Sequence, residues 1–457
     1  MDFKSLDKIF FSGIGGIGVS ALAKYFLSLG KEVFGSDSIR SEITEELEKM
    51  GVKITYSQEA DNIKPGIDLV IYTPAENQDH VERARAADLK IDQLSYPQAL
   101  GELMKEYEVG MAICGTNGKS TTTALLGAIL EEASFDPTVV VGSKIKQFGN
   151  SNFKQGHSQY MLVEACEYKA SFLNLWPQII GLSNIEEDHL DYFTGLEHII
   201  ETFQDFINRL SPMSILAINA DDKNSQKLNI PNCQLVTYGI KSQADVVAQE
   251  IRVENGQQIF KVIYQGGEAG TVELKIPGQH NIYNALLAIC LALSLGIDFI
   301  LIKKALTEFS GLWRRFEVIT ERAGIVYVSD YAHHPTAVKE TIKAARDFYP
   351  QRRIVVAYQP HQHNRTLKLF DQFVGAFSGA DLLVMSEIYD VEGRNEDSKV
   401  SANDLVKKIS KRGVETYFAT DLAELVVMLK DNLKSNDVLL VMGAGDIYTI
   451  LPKLIQA

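Results

Sequence analysis

The run Gly115-Thr116-Asn117-Gly118-Lys119-Ser120-Thr121 holds the residue types best suited to chemistry in this chain. Successive backbone N–H groups at a helix start can enclose phosphate oxygens, Lys119 adds a positive charge, and the Ser120 hydroxyl is a hard oxygen ligand for Mg2+. The apolar VGMAIC (Val109 to Cys114) precedes the run and TTTALLGAILEE follows it, so the order strand, phosphate loop, helix implies a bound nucleoside triphosphate. Ile113 stands where the usual Walker A spacing has its first glycine, which makes this a shortened loop. A second glycine turn, with Gly13, Gly15 and Gly18, follows the strand KIFFS, and Asp37 comes at the distance of an acidic residue facing a ribose. That turn suits a dinucleotide, a nucleotide sugar diphosphate, or a purely structural bend.

Glu164 ends the apolar strand YMLVE, and His189 lies in NIEEDHLDY after the strand Ile179 to Ser183. Both sit at carboxyl ends of parallel strands, where such sheets collect ligands, so they are candidate metal ligands. Each alone is equally well explained as a strand-end carboxylate or a surface histidine. HNIYNA opens a helix whose Asn281 and Asn284 amides could read a purine edge, and GLWRRFE offers Arg314 and Arg315 to a transferring phosphoryl group. Without the other motifs, a helix cap and a solvated pair explain these as well. SDYAHHP and YQPHQHNRT gather His, Tyr and Arg after strands, where binding groups collect, but their spacing matches no compact zinc set.

Positioning these groups takes several domains. A chain of 457 residues exceeds one ordinary core, and 46% hydrophobic with 23% charged residues is the balance of a chain folded throughout. Strands alternate with helices along the whole chain, which predicts an α/β protein with parallel sheets covered on both faces. The pattern restarts twice. We expect a Rossmann-like N-terminal domain over 1–107, a central P-loop ATPase-like domain over 108–318 and a C-terminal Rossmann-like domain over 319–457. Among the elements are strands at Tyr160 to Glu164, Arg353 to Tyr358 and Leu382 to Ser386, and a lysine-free helix over Leu190 to Leu210.

Charge narrows the partners. Lys and Arg number 45 against 59 Asp and Glu, a net charge of -14, which disfavours nucleic acid. The four cysteines are scattered without a C-x-x-C pair, which suits a reducing compartment. No apolar run reaches the length of a membrane helix and no targeting segment opens the chain, so a cytoplasmic protein, monomeric or homodimeric, is expected.

Taken in order, GIGGIGVSALA, GTNGKSTTT, VEACE, NIEEDHLDYF, HNIYNALLA, RRFE, DYAHHPT, PHQHNRT and GAGDI resemble the Mur ligase family over essentially the whole chain. The resemblance implies a ligase that uses ATP and Mg2+ to activate a carboxylate as an acyl phosphate and couple it to an amine, with UDP-N-acetylmuramate and L-alanine as substrates. It implies that Gly15, Gly16, Ile17, Gly18, Ser20 and Asp37 hold the sugar nucleotide. Gly115 to Thr121 would hold the ATP phosphates, Asn281 and Asn284 the adenine, and Asp330 the ribose. Ser120, Glu164 and His189 would ligate metal, and Lys119 and Arg315 would stabilise the transferred phosphoryl group. Tyr331, His333, His361 and Arg365 would line the amino-acid site, Arg365 pairing the carboxylate. The missing lysine after NIEEDH resembles the alanine-adding branch. Asn117, Cys166, Tyr168 and Gln362 depart from that branch's usual residues. Two alternatives are a ligase adding a recycled tripeptide and, from the first glycine turn alone, a nicotinamide-dependent dehydrogenase.

Overall fold

The computed structural model describes residues 2–190, 192–254, 256–389 and 400–456. It divides into two compact units, one of Met1–Glu186, Leu196–Val247 and Asn284–Ala305, the other of Glu187–Gly195, Ala248–Tyr283 and Leu306–Ala457.

The first unit opens with strands β1 (Lys8–Ser12), β2 (Glu32–Ser36), β3 (Lys53–Thr55), β4 (Leu69–Tyr72) and β5 (Asp92–Ser95), in the order β3-β2-β1-β4-β5. All pair in parallel, a doubly wound arrangement. β1 reads KIFFS because both its faces are covered: Ile9 and Phe11 are fully buried and Phe10 nearly so. The chain then forms β6 (Val109–Cys114), β7 (Thr138–Ile145), β8 (Ser151–Lys154), β9 (Tyr160–Glu164), β10 (Ile179–Leu182), β11 (Ile215–Asn219) and β12 (Gln234–Gly239). Their order is β12-β11-β10-β6-β9-β7-β8, parallel except for the β7-β8 pair. Buried lysines join the two layers. Lys24, on the helix Ile17–Ser28, reaches Asn152 on β8 at 2.9 Å and pairs with Glu46, which also takes Lys144 from β7 at 3.1 Å. Lys24 and Lys144 are 3% exposed, so their ammonium groups must be satisfied by these partners.

In the second unit, β14 (Gln257–Tyr264) and β15 (Gly267–Leu274) form an antiparallel hairpin beside β13 (Val246–Glu254). A six-stranded sheet follows, with β16 (Glu317–Arg322), β17 (Ile325–Asp330), β18 (Arg353–Tyr358), β19 (Leu382–Ser386), β20 (Glu415–Ala419) and β21 (Asp437–Met442). Its order is β16-β17-β21-β18-β19-β20, antiparallel only at β16-β17. Alternation along β21 sends Val438, Leu440 and Met442 into one core and Leu439 and Val441 into the other, which is why the strand is a continuous apolar run.

The α/β expectation holds in all three sheets. One helix is corrected: the span predicted from Leu190 to Leu210 is helical only over Leu196–Ile207. Gly195, at φ +155°, sets its start, and the preceding residues fold as a turn in which Tyr192 and Phe193 donate to the His189 carbonyl. Among the described residues no helix is long and apolar enough to cross a membrane.

Candidate active site

In the first unit, the loop after β6 needs its glycines. Gly115 and Gly118 have φ of +130° and +86°, and a Cβ on Gly118 would stand 2.2 Å from Asn284 Oδ1. Gly118 caps the helix Lys119–Glu132, so that helix's free N–H groups face the loop. The loop is tied to the segment after β10: Thr116 N–H donates to the Asn184 carbonyl at 2.9 Å and Asn117 N–H to Asn184 Oδ1 at 3.0 Å. Asn117 Nδ2 reaches Glu186 at 3.3 Å.

Lys119 Nζ donates to the carbonyls of Gly115 at 2.6 Å and Thr116 at 2.9 Å and pairs with Glu167 at 2.8 Å. Burial would lower its pKa, but Glu167, with Cys166 and Glu164, outweighs burial and holds the ammonium above its ordinary range. Ser120 Oγ donates to Glu164 Oε1 at 3.0 Å, while Gly142 N–H donates to Glu164 Oε2 at 2.6 Å. A hydroxyl and a carboxylate oxygen this close at a helix start fit a hard divalent cation such as Mg2+.

The earlier glycine turn also lies in the first unit. Gly13, at φ +73°, and Ile14 donate to the Ser36 carbonyl at 2.9 and 3.0 Å. Asp37, expected at a ribose, accepts the Gly15 N–H at 2.7 Å and the Ile39 N–H at 3.0 Å. Gly16 is the N-cap of the helix that starts at Ile17. Gly18 packs on Tyr96, whose ring atoms lie 2.7 Å from the place of a Gly18 Cβ. Ser20 is fully buried, donating to the Ile17 carbonyl and accepting from Asn152 Nδ2, both at 2.9 Å.

In the second unit, His189 adopts φ +52° and follows Asp188, whose Oδ1 accepts the His189 N–H at 2.7 Å. Asp188 also meets Arg365 Nη2 at 3.3 Å. Burial pushes the Asp188 pKa up, but Arg365, His189, His333 and His334 outweigh it and hold the carboxyl well below the usual range. Beside this pair lies a ring cluster. Tyr331 and His333 have centroids 5.2 Å apart, His333 and His361 6.2 Å, and His361 stacks on Tyr389 at 5.6 Å. His333 Nδ1 lies 2.9 Å from the Tyr331 carbonyl.

Asp330, at the end of β17, accepts from the N–H groups of Phe316 at 2.6 Å and Ala332 at 2.7 Å. Burial raises its pKa against the pull of Arg315. Arg315 lies 5.2 Å from the Tyr331 ring, whereas Arg314 is buried, bonded to the Gly443 and Gly445 carbonyls. Asn281 donates to the Pro277 carbonyl at 2.6 Å, as a residue opening a helix can.

The geometry therefore gathers Gly115 to Thr121 with Glu164 and Asn284 in one unit, and His189, Asp330, Tyr331, His333, His361 and Arg365 in the other. Sequence reasoning missed four neighbours: Glu167, Tyr96, Asp188 and Tyr389. Glu167 and Asp188 stood inside the motifs VEACE and NIEEDH, where further acidic residues were the available signal.

Three family models match: "Mur ligase family, catalytic domain" over 8–108, "Mur ligase middle domain" over 113–292, and "Mur ligase, glutamate ligase domain" over 314–445. The UDP-N-acetylmuramate--L-alanine ligase of Caldanaerobacter subterraneus subsp. tengcongensis is 39% identical over 460 residues, covering 100% of this chain and 99% of that one. The ligase of the same name from Clostridium kluyveri is 40% identical, covering 98% of each chain. The crystal structure of UDP-N-acetylmuramate-alanine ligase from Thermotoga maritima superimposes with a TM-score of 0.86 at 29% identity, covering 98% of each chain.

Proposed function

Since this chain belongs to the Mur ligase family, we infer that it joins L-alanine to the carboxylate of UDP-N-acetylmuramate with ATP, the reaction its full-length relatives are named for. It is an ATP-dependent ligase of amide-bond formation in peptidoglycan precursor synthesis. The sugar carboxylate takes the terminal phosphoryl of ATP to give an acyl phosphate, and ADP leaves. The amine of alanine attacks that carbonyl and gives up a proton to solvent, and phosphate leaves from the tetrahedral adduct with the electron pair of the broken C–O bond.

Our residue assignments follow from this chemistry. The N–H groups of Gly115 to Ser120 surround the phosphates, and Lys119 neutralises charge on the transferred group. Ser120 and Glu164, 3.0 Å apart, supply oxygen ligands for one Mg2+, and His189 a nitrogen ligand for a second. Bound there, Mg2+ would neutralise phosphate charge during transfer. Arg315 adds a cation for the phosphoryl oxygens, Asn281 and Asn284 face adenine, and Asp330 the ribose. The N-terminal glycine turn holds the sugar nucleotide, with Gly15, Gly16, Ile17, Gly18 and Ser20 at the diphosphate. Arg365 pairs the alanine carboxylate beside Tyr331, His333 and His361.

Similarity to alanine-adding relatives along the whole length carries the reading and favours it over tripeptide addition. The test is incubation with UDP-N-acetylmuramate, ATP, Mg2+ and a mixture of amino acids, with mass spectrometry of the product and phosphate release. Alanine addition is expected; release only with tripeptide, or none, refutes it.

A further inference from the structure

Asp188 has no part in the assignments above, yet two of them meet at its carboxylate. Its Oδ1 accepts the His189 N–H at 2.7 Å and lies 3.3 Å from Arg365 Nη2. The first bond holds the backbone N–H of a residue whose φ of +52° lies in the left-handed region that non-glycine residues seldom enter. Two further bonds hold the turn there, from the N–H groups of Tyr192 and Phe193 to the His189 carbonyl, each 2.9 Å. The His189 backbone is thus tied to the Asp188 carboxylate, whose other oxygen, Oδ2, lies 3.9 Å from the ring Nε2.

The second contact fixes a guanidinium. Arg365 and Asp188 are 8% and 13% exposed, so neither charge is well hydrated. Among the described residues, Asp188 engages the Arg365 fork through Nη2 alone. The remaining donors keep a geometry that accepts a second carboxylate. A cleft lined by Asp188, His189, Gln362, Arg365 and Lys368 opens at this point.

We propose that Asp188 is a positioning residue that sets Arg365 to receive the carboxylate of the incoming amino acid and, through the same oxygen, holds the turn that aims His189. The proposal rests on the assignment of Arg365 to the amino-acid site. It gives one side chain command of both the amino-acid and the metal ends of the second unit's cluster.

Two substitutions separate the jobs. Asp188→Asn keeps an oxygen that can accept from the His189 N–H and removes the charge facing Arg365; Asp188→Ala removes both. Steady-state ADP formation gives KM for L-alanine, KM for ATP and kcat, and electron paramagnetic resonance of Mn2+ titrated with a non-hydrolysable ATP analogue gives metal affinity without turnover. Asp188→Asn is expected to raise KM for L-alanine roughly tenfold, with KM for ATP and Mn2+ affinity within about twofold of the parent. Asp188→Ala is expected to raise KM for L-alanine at least as far and also to weaken Mn2+ binding. KM for L-alanine within twofold of the parent in both variants overturns the proposal. So does an equal rise in every KM accompanied by a lowered melting temperature, which is the mark of a merely structural residue. If the parent itself forms no ADP with L-alanine, the proposed function fails and Asp188 with it; an active parent with indifferent variants sinks only the role of Asp188.

Discussion

Gly118→Ala tests the phosphate loop with a single methyl group. Gly118 has φ +86° and ψ −5°, a conformation that costs an L-residue about 1–2 kcal/mol. The new Cβ would also stand 2.2 Å from Asn284 Oδ1, and Asn284 is 5% exposed, so its amide has little room to retreat. Overpacking of that kind adds about 1–3 kcal/mol. Gly30→Ala isolates the first contribution, because Gly30 has φ +74° in the same unit and nothing within 4 Å of its Cβ position. Urea unfolding should therefore place Gly30→Ala about 1–2 kcal/mol below the parent and Gly118→Ala about 2–5 kcal/mol below. The same methyl disturbs the amides we assign to the phosphates, so KM for ATP should rise at least tenfold in Gly118→Ala and stay unchanged in Gly30→Ala. Equal losses of stability in the two variants, or an unaltered KM for ATP in Gly118→Ala, would refute the argument that this glycine is required by both space and conformation.

Lys119→Ala should lower kcat by roughly 10²–10³, and it leaves Glu167, 2% exposed, without that ammonium. Adding Glu167→Gln should then restore part of the lost melting temperature and none of the phosphate release. Arg314→Ala should destabilise by about 2–4 kcal/mol through loss of its carbonyl bonds and ring contacts, read by urea unfolding, whereas Arg315→Ala should leave stability near the parent's and reduce phosphate release. His280 is held neutral by burial, with Arg315 and Lys343 adding repulsion, and its pKa falls from 6.5 to about 4. The unfolded chain thus binds the extra proton first, so this residue's stabilising contribution is present above pH 6.5 and is lost as pH falls toward about 4. His280→Gln should flatten the melting-temperature profile across that window, and a profile identical to the parent's would count against the assignment.

What could be read from sequence follows from how local the cause is. The strands Val109–Cys114, Tyr160–Glu164, Arg353–Tyr358 and Leu382–Ser386 match their predicted limits because a parallel strand buried on both faces needs an unbroken apolar run. The glycine loops were legible because their conformations exclude other residues. The helix predicted from Leu190 begins only at Leu196 because apolar spacing does not register Gly195 or the turn at His189. The β7-β8 hairpin passed unnoticed, since TVVVGSKI carries a glycine inside a strand. Partnerships across the chain were the least legible. Asp188 and Arg365 are 177 residues apart, and no local pattern in either segment names the other.

The adjacent arginines show the same limit at its sharpest. Arg314 and Arg315 have identical side chains and share one motif, so composition and spacing offer both to a phosphoryl group. The backbone separates them. Arg314 and Phe316 have φ of +54° and +44°, and these reversals flank Arg315. The guanidinium of Arg314 lies over Tyr448 at 4.4 Å and Tyr331 at 5.0 Å, donating to Gly443 and Gly445 of the GAGDI motif. Burial lowers its pKa from the ordinary arginine value, with the neighbouring tyrosines and Asp330 resisting that fall. Both arginines act on Asp330, and the charge of Arg315 is also felt at His280. Arg314 is thereby committed to joining the loop after β21 to the start of β16, and Arg315 is the one of the pair to which we assign the phosphoryl oxygens. Exchanging their roles would require both positive φ values to move, which is why a Lys at 315 should retain more activity than a Lys at 314 retains stability.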